Sequence, residues 1–199
     1  MIKPTYIVKR ILIINIIVFI MQMLLPVVNE YMMLYPYLSD NFQYYQYVTA
    51  CFAHGGLIHL AFNMVALVSF GSIIEKKYGA LKFTKFYLTV GILANILWHI
   101  LSNPIMPALG ASGALFGILT LYVIKYPNTK LFIIFLPMVS FKASSMFLVV
   151  IVYEILGSLF LNVGIGHSIH LLGVVLGLFY YIIFMKGRDN LTQKIKFTR

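Results

Sequence analysis

Polar residues in this chain are gathered into short segments that separate long apolar runs. Six such runs stand out, at 8–28, 57–75, 84–101, 112–125, 143–162 and 167–185. Most approach the roughly 20 residues a helix needs to cross a hydrocarbon core about 30 Å thick. The pattern predicts an all-α, polytopic membrane protein with six transmembrane helices in one domain over residues 1–199. The first run begins around Lys9 and Arg10 as a signal peptide would, but it is long and no A-x-A-like site follows, so it reads as a retained span. The stretch from Leu131 to Phe141 is apolar but too short to cross between Lys130 and Lys142, and it reads as an interfacial or cytoplasmic loop.

Composition sharpens this picture. Apolar residues make up 61% of the chain and charged ones 10%, far from the about 45–50% and about 25% of soluble domains, which excludes a soluble nucleic-acid binder and a disordered chain. The fifteen Lys and Arg residues fall into four groups: Lys3, Lys9 and Arg10; Lys76, Lys77, Lys82 and Lys85; Lys125, Lys130 and Lys142; and Lys186 to Arg199. A six-span chain puts all four on one side, while the opposite loops, about 29–53, 102–111 and 163–166, carry none. By the positive-inside rule both termini are expected in the cytoplasm and the chain in the plasma membrane. Cys51 is the single cysteine, which excludes an internal disulfide or a cysteine metal cage.

The fourth run is too short. From Ser112 to Lys125 there are thirteen helical steps, or about 20 Å, so Ser112 is expected below the outer membrane surface. The preceding segment, Ser102 to Gly110, contains Pro104 and Pro107 and cannot continue a helix. Irregular backbone at that depth must be buried in protein or line water, which predicts a water-filled cavity open to the outer side with Ser112 at its base. A serine there also suits a plain helix cap. As a nucleophile it needs a base, and the candidates can be eliminated by side. The outer half offers no lysine, no aspartate pair and no H-E-x-x-H. Histidine remains.

His170 shares a helical face with Gly173 and Gly177, and the fourth run offers Gly113 and Gly117, so these two helices can approach closely enough for His170 to reach Ser112. His59 and Asn63 stand one turn apart on the second run and supply hydrogen-bond donors for an oxyanion. Both would also serve to bond loop carbonyls. Glu154 is the only carboxylate deep in a run, and without an identifiable partner it is expected to be protonated or to face the cavity.

Taken together, Gly110-Ala111-Ser112-Gly113, His54 and His59 with Asn63, Glu75 with Gly79, and His170 with Gly173 and Gly177 resemble the rhomboid intramembrane serine proteases, in their six-span bacterial form. The resemblance covers roughly residues 8–186. It implies a Ser112–His170 dyad and an oxyanion hole made by His59, Asn63 and the Ser112 backbone N–H. It further implies that Gly110 admits a substrate backbone, that Phe116 stacks on His170, and that His54 supports the oxyanion hole. Residues 29–53 would form a membrane-embedded first loop. There are departures: Tyr45-Gln46 stand where the family has Trp-Arg, which predicts a more weakly anchored first loop, and Thr120 and Ile169 replace a common glycine and alanine, which predicts a wider gap between the fourth and sixth spans.

The expected activity is that of a serine endopeptidase. It would cut single-span transmembrane proteins near their outer ends through an acyl-enzyme, without cofactor or metal. No acid is expected to orient His170, and His167 has no expected role. Two rivals are a protein of the same fold that captures membrane helices without cutting them, and a transporter coordinating metal through His54, His59, His167 and His170.

Overall fold

A computed structural model describes residues 3–102, 106–133, 136–160 and 166–187. The expectations placed on Asn103-Pro104-Ile105, on the loop around 163–165 and on the tail from Arg188 lie outside the described residues.

Among the described residues, five helices are long and apolar enough to cross a membrane: α1 (Tyr6–Leu24), α4 (Leu57–Tyr78), α5 (Ala80–Ser102), α7 (Ala143–Phe160) and α8 (His167–Met185). Between α1 and α4 lie two short helices, α2 (Val27–Met32) and α3 (Gln46–Thr49). A sixth apolar helix, α6 (Ser112–Lys125), has 14 residues. Many aliphatic side chains point outward, among them Ile17, Leu148, Leu156 and Leu159, as a lipid-facing surface requires and water would penalise.

Local chemistry explains where the helices stop. The first run is broken at Leu24 rather than near residue 28, because Pro26 has no N–H to continue it and instead opens α2. Helix α4 contains a π-turn over Leu67–Gly71 and ends at Gly79, whose φ of +85° suits a residue without Cβ. The apolar stretch after α6 is not a loop. Strands β1 (Lys130–Ile133) and β2 (Leu136–Lys142) pair antiparallel, Lys130 opposite Lys142 and Leu131 opposite Phe141. This corrects the all-α expectation: the two segments pair their amides with each other, and their aromatic and branched residues favour extended backbone.

Helix α6 lies at the centre, with Gly113, Ala114, Gly117, Ile118, Leu121 and Tyr122 all buried. Its contact with α8 is backbone to backbone. A Cβ on Gly173 would collide with the Gly113 carbonyl, and one on Gly177 would lie 2.7 Å from Gly117 Cα. The wider gap inferred from Thr120 and Ile169 is therefore not what the chain adopts: the Thr120 hydroxyl donates back to Phe116 O at 2.8 Å within its own helix, and Ile169 packs alongside Gly113.

Two polar anchors fix the rest. Glu75, 5% exposed, accepts the Ile7 and Val8 N–H groups at 3.0 and 2.9 Å and the Thr5 hydroxyl, so α4 caps the N-terminus of α1 from outside that helix. Gln46, fully buried, accepts the Tyr35 and Gln43 N–H groups and donates to the Asn41 and Glu30 carbonyls, which ties the segment around α2 and α3 to itself. Leu34 and Ala108 exchange two backbone bonds, and Gly110 N donates to Ala50 O at 2.8 Å, joining that segment to the approach to α6. Replacing Glu75 by Ala strands two helix N-terminal amides and should lower unfolding stability by about 1–3 kcal/mol, read as a lower thermal midpoint in detergent. Gln46→Leu should loosen the first loop while leaving the helices intact, read as faster proteolysis between residues 30 and 46 at nearly unchanged helicity.

Candidate active site

Ser112 is the first residue of α6, where unpaired N–H groups and the positive end of the helix dipole gather. The chain reaches it through Gly110, whose φ is +132°. His170 comes from the first turns of α8, brought near by the glycine contact just below. The Ser112 hydroxyl and His170 Nε2 are 2.8 Å apart. Phe116, one turn into α6, lies parallel to the imidazole with centroids 4.3 Å apart and planes 8° from parallel.

Helix α4 contributes His59 and Asn63. The Gly55 N–H donates to His59 Nδ1 at 3.4 Å, so the proton of a neutral ring sits on Nε2, where it can be donated onward. The His59 ring packs against Gly110, since a Cβ there would fall 2.9 Å from its Cε1 and 3.6 Å from the Ser112 hydroxyl. Serine, glycine and imidazole thus share one small space. Asn63 is buried, and its Nδ2 donor has no partner among the described residues. His54 is buried beside His59 with ring centroids 5.1 Å apart. Its backbone is clamped by Gln22 on α1, which accepts the His54 N–H at 3.0 Å and donates to the His54 carbonyl at 3.3 Å.

The region around Glu154 departs from expectation. Its Oε2 lies 2.6 Å from His167 Nδ1 and 3.1 Å from His170 Nδ1. The second contact is in ion-pair range, although no aligned hydrogen bond forms at that nitrogen. An acid is therefore placed beside His170 after all, and Glu154 is paired with two imidazoles instead of standing alone. Sequence reasoning missed this because α7 and α8 join the three residues only through tertiary packing; a carboxylate and two histidines in adjacent runs were the available signal. It also missed Gln22 and Asn95, polar residues within apolar helices. Asn95 donates to Tyr47 O and to Cys51 Sγ, and His99 bonds the Tyr47 hydroxyl at 2.9 Å, so both hold the first loop from α5.

The four histidines of the metal-transport alternative are not gathered at one point. Among the described residues, the group with ligand atoms within 4.8 Å of one another is Glu154, His167 and His170. The 2.6 Å His167–Glu154 separation is a hydrogen bond, shorter than the ~3.3 Å between two ligands on a tetrahedral zinc with ~2.0 Å bonds.

Residues 41–187 match the Rhomboid domain family model. The chain is 32% identical over 149 residues to the human Presenilin-associated rhomboid-like protein, mitochondrial, covering 71% of this chain and 39% of that one. It is 33% identical over 138 residues to Rhomboid protease GluP of Bacillus subtilis, covering 69% and 25%, and 30% identical over 152 residues to Rhomboid protein 1, mitochondrial, of Saccharomyces cerevisiae, covering 74% and 44%. The chain thus spans about two fifths of the first of these relatives. Two of the three carry mitochondrial names, so the comparisons support a membrane location and give no preference to the plasma membrane expected from charge. With the apolar helices, the family model and these relatives in agreement, the chain belongs to the rhomboid family.

Proposed function

We propose that this protein is an intramembrane serine endopeptidase whose substrates are single-span transmembrane proteins, cut near their outer ends. The observation that carries the reading is the 2.8 Å contact between the Ser112 hydroxyl and His170 Nε2 at a helix N-terminus. In this reading Ser112 attacks the scissile carbonyl while His170 takes its proton, the amine leaves with that proton, and water releases the acyl-enzyme. His59, Asn63 and the Ser112 N–H hold the oxyanion; the Asn63 Nδ2, unpartnered among the described residues, and the His59 Nε2 proton fit that task. His54 braces His59, Gly110 admits the substrate backbone, Phe116 holds the His170 ring, and Gly113, Gly173 and Gly177 set the helix spacing.

The membrane setting is part of the same proposal. One domain of six spans would include α6 as the short one, with its N-terminus facing a water-filled cavity on the side opposite the lysines. Access from the bilayer would open between α4 and α7, since α7 is the least buried of the five long helices. Substrates would be helices that unwind readily, because an intact helix engages the carbonyls that must be attacked.

The test is incubation of purified wild type and Ser112→Ala with a panel of labelled transmembrane peptides in detergent. Cleavage by the wild type alone is expected, near the outer end of a peptide containing Gly or Pro; binding without cleavage would favour the capture reading, and cleavage by both would remove Ser112 as nucleophile. Asn63→Ala should lower kcat by about 10²–10³ with little change in KM, and an unchanged kcat would take Asn63 out of the oxyanion hole.

A further inference from the structure

Glu154 is a buried carboxylate that the proposed reaction does not use, and its surroundings are built with care. Burying a carboxylate is costly unless it is paired and hydrogen-bonded, and here two imidazoles meet one oxygen, His167 Nδ1 at 2.6 Å and His170 Nδ1 at 3.1 Å. Room for His167 is made by Gly157, one turn beyond Glu154 on α7: a Cβ at that position would lie 2.5–2.6 Å from three atoms of the His167 ring. The His170 ring is then stacked on Phe116, bonded at Nε2 to Ser112 and faced at Nδ1 by the Glu154 carboxylate.

That arrangement selects a tautomer. A neutral imidazole carries one ring proton, and to receive the Ser112 proton His170 must keep Nε2 bare and carry its proton on Nδ1. A carboxylate only accepts, so an oxygen facing Nδ1 favours that form and disfavours the reverse. We infer that Glu154 is a positioning residue for His170, fixing its tautomer and stabilising the imidazolium formed in the reaction, and that His167 holds Glu154 in place. The inference rests on the Ser112–His170 reading.

The step balances without proton transfer to Glu154. As Ser112 Oγ bonds to the scissile carbon, the carbonyl π pair moves onto oxygen and the hydroxyl proton moves to His170 Nε2. The Nδ1 proton stays in place facing the carboxylate. When the C–N bond breaks, the Nε2 proton leaves with the amine and Glu154 is unchanged. The off-axis contact at Nδ1 is ordinary for a resting site, since such bonds often tighten only once substrate is bound.

The experiment uses the full chain in detergent with a cleavable transmembrane peptide. Glu154→Gln, which can donate as well as accept and so admits the wrong tautomer, should lose at least tenfold in kcat while KM and the thermal midpoint hold. Fluorophosphonate labelling of Ser112 should slow by a similar factor. Glu154→Asp keeps the accepting charge and should retain more activity than the Gln variant. Wild-type kcat in Glu154→Gln, or a loss confined to KM, would overturn the assignment. Should Glu154→Gln fail to fold, Gly157→Ala, which pushes His167 from the carboxylate without removing a charge, carries the same expected kcat loss, and wild-type kcat there would overturn it. A wild type that does not cleave, or a Ser112→Ala protein that does, would overturn the hydrolase reading and this inference together, whereas an active wild type with an unimpaired Glu154→Gln would sink the inference alone.

Discussion

Two helices in contact through bare backbone set the geometry on which the rest depends. Where Gly113 meets Gly173 and Gly117 meets Gly177, no side chain separates α6 from α8, and a single added carbon at Gly173 would strike the Gly113 carbonyl. Lipid supplies no hydrophobic drive for helices to associate, so close van der Waals packing of small residues has to do it. One turn above that contact, the helices are near enough for His170 Nε2 to meet the Ser112 hydroxyl at 2.8 Å. Any spacer would separate them by more than a hydrogen bond can span.

A second constraint is the irregular backbone before α4, whose amides and carbonyls need partners outside a helix ladder. Polar side chains on the helices around it supply them. Gln22 clamps the backbone at His54, Gln46 bonds four backbone groups of its own loop, and Asn95 and His99 bind Tyr47. The rigidity this lends to His54, and through ring contact to His59, links the loop's hydrogen bonding to the donors assigned to the oxyanion hole.

The five long apolar helices were legible because their signal is composition over length, which bilayer thickness enforces. The short fourth helix was legible for the same reason, from the distance between Ser112 and Lys125. The glycine register at 113, 117, 173 and 177 could be read as a close approach because small residues have that meaning in membrane helices. What sequence did not reveal depends on partners brought together by folding. Gln46 in place of an arginine looked like a weakened anchor, yet a buried carboxamide both donates and accepts and so bonds four groups. Glu154 looked unpaired because its two histidines lie on the next helix, and the hairpin at 130–142 was hidden because an apolar stretch of that length has no periodicity to separate strand from loop.

On the proposed hydrolase reading, glycine contact between α6 and α8 makes Ser112 nucleophilic by placing His170 on it. The most direct measurement is mass-spectrometric mapping of fluorophosphonate adducts on wild type, His170→Ala and Gly173→Leu, each first shown to be folded by its thermal transition. A single adduct on Ser112 is expected in the wild type and none in either variant. Modification of Ser112 at the wild-type rate in His170→Ala or Gly173→Leu would contradict that reading.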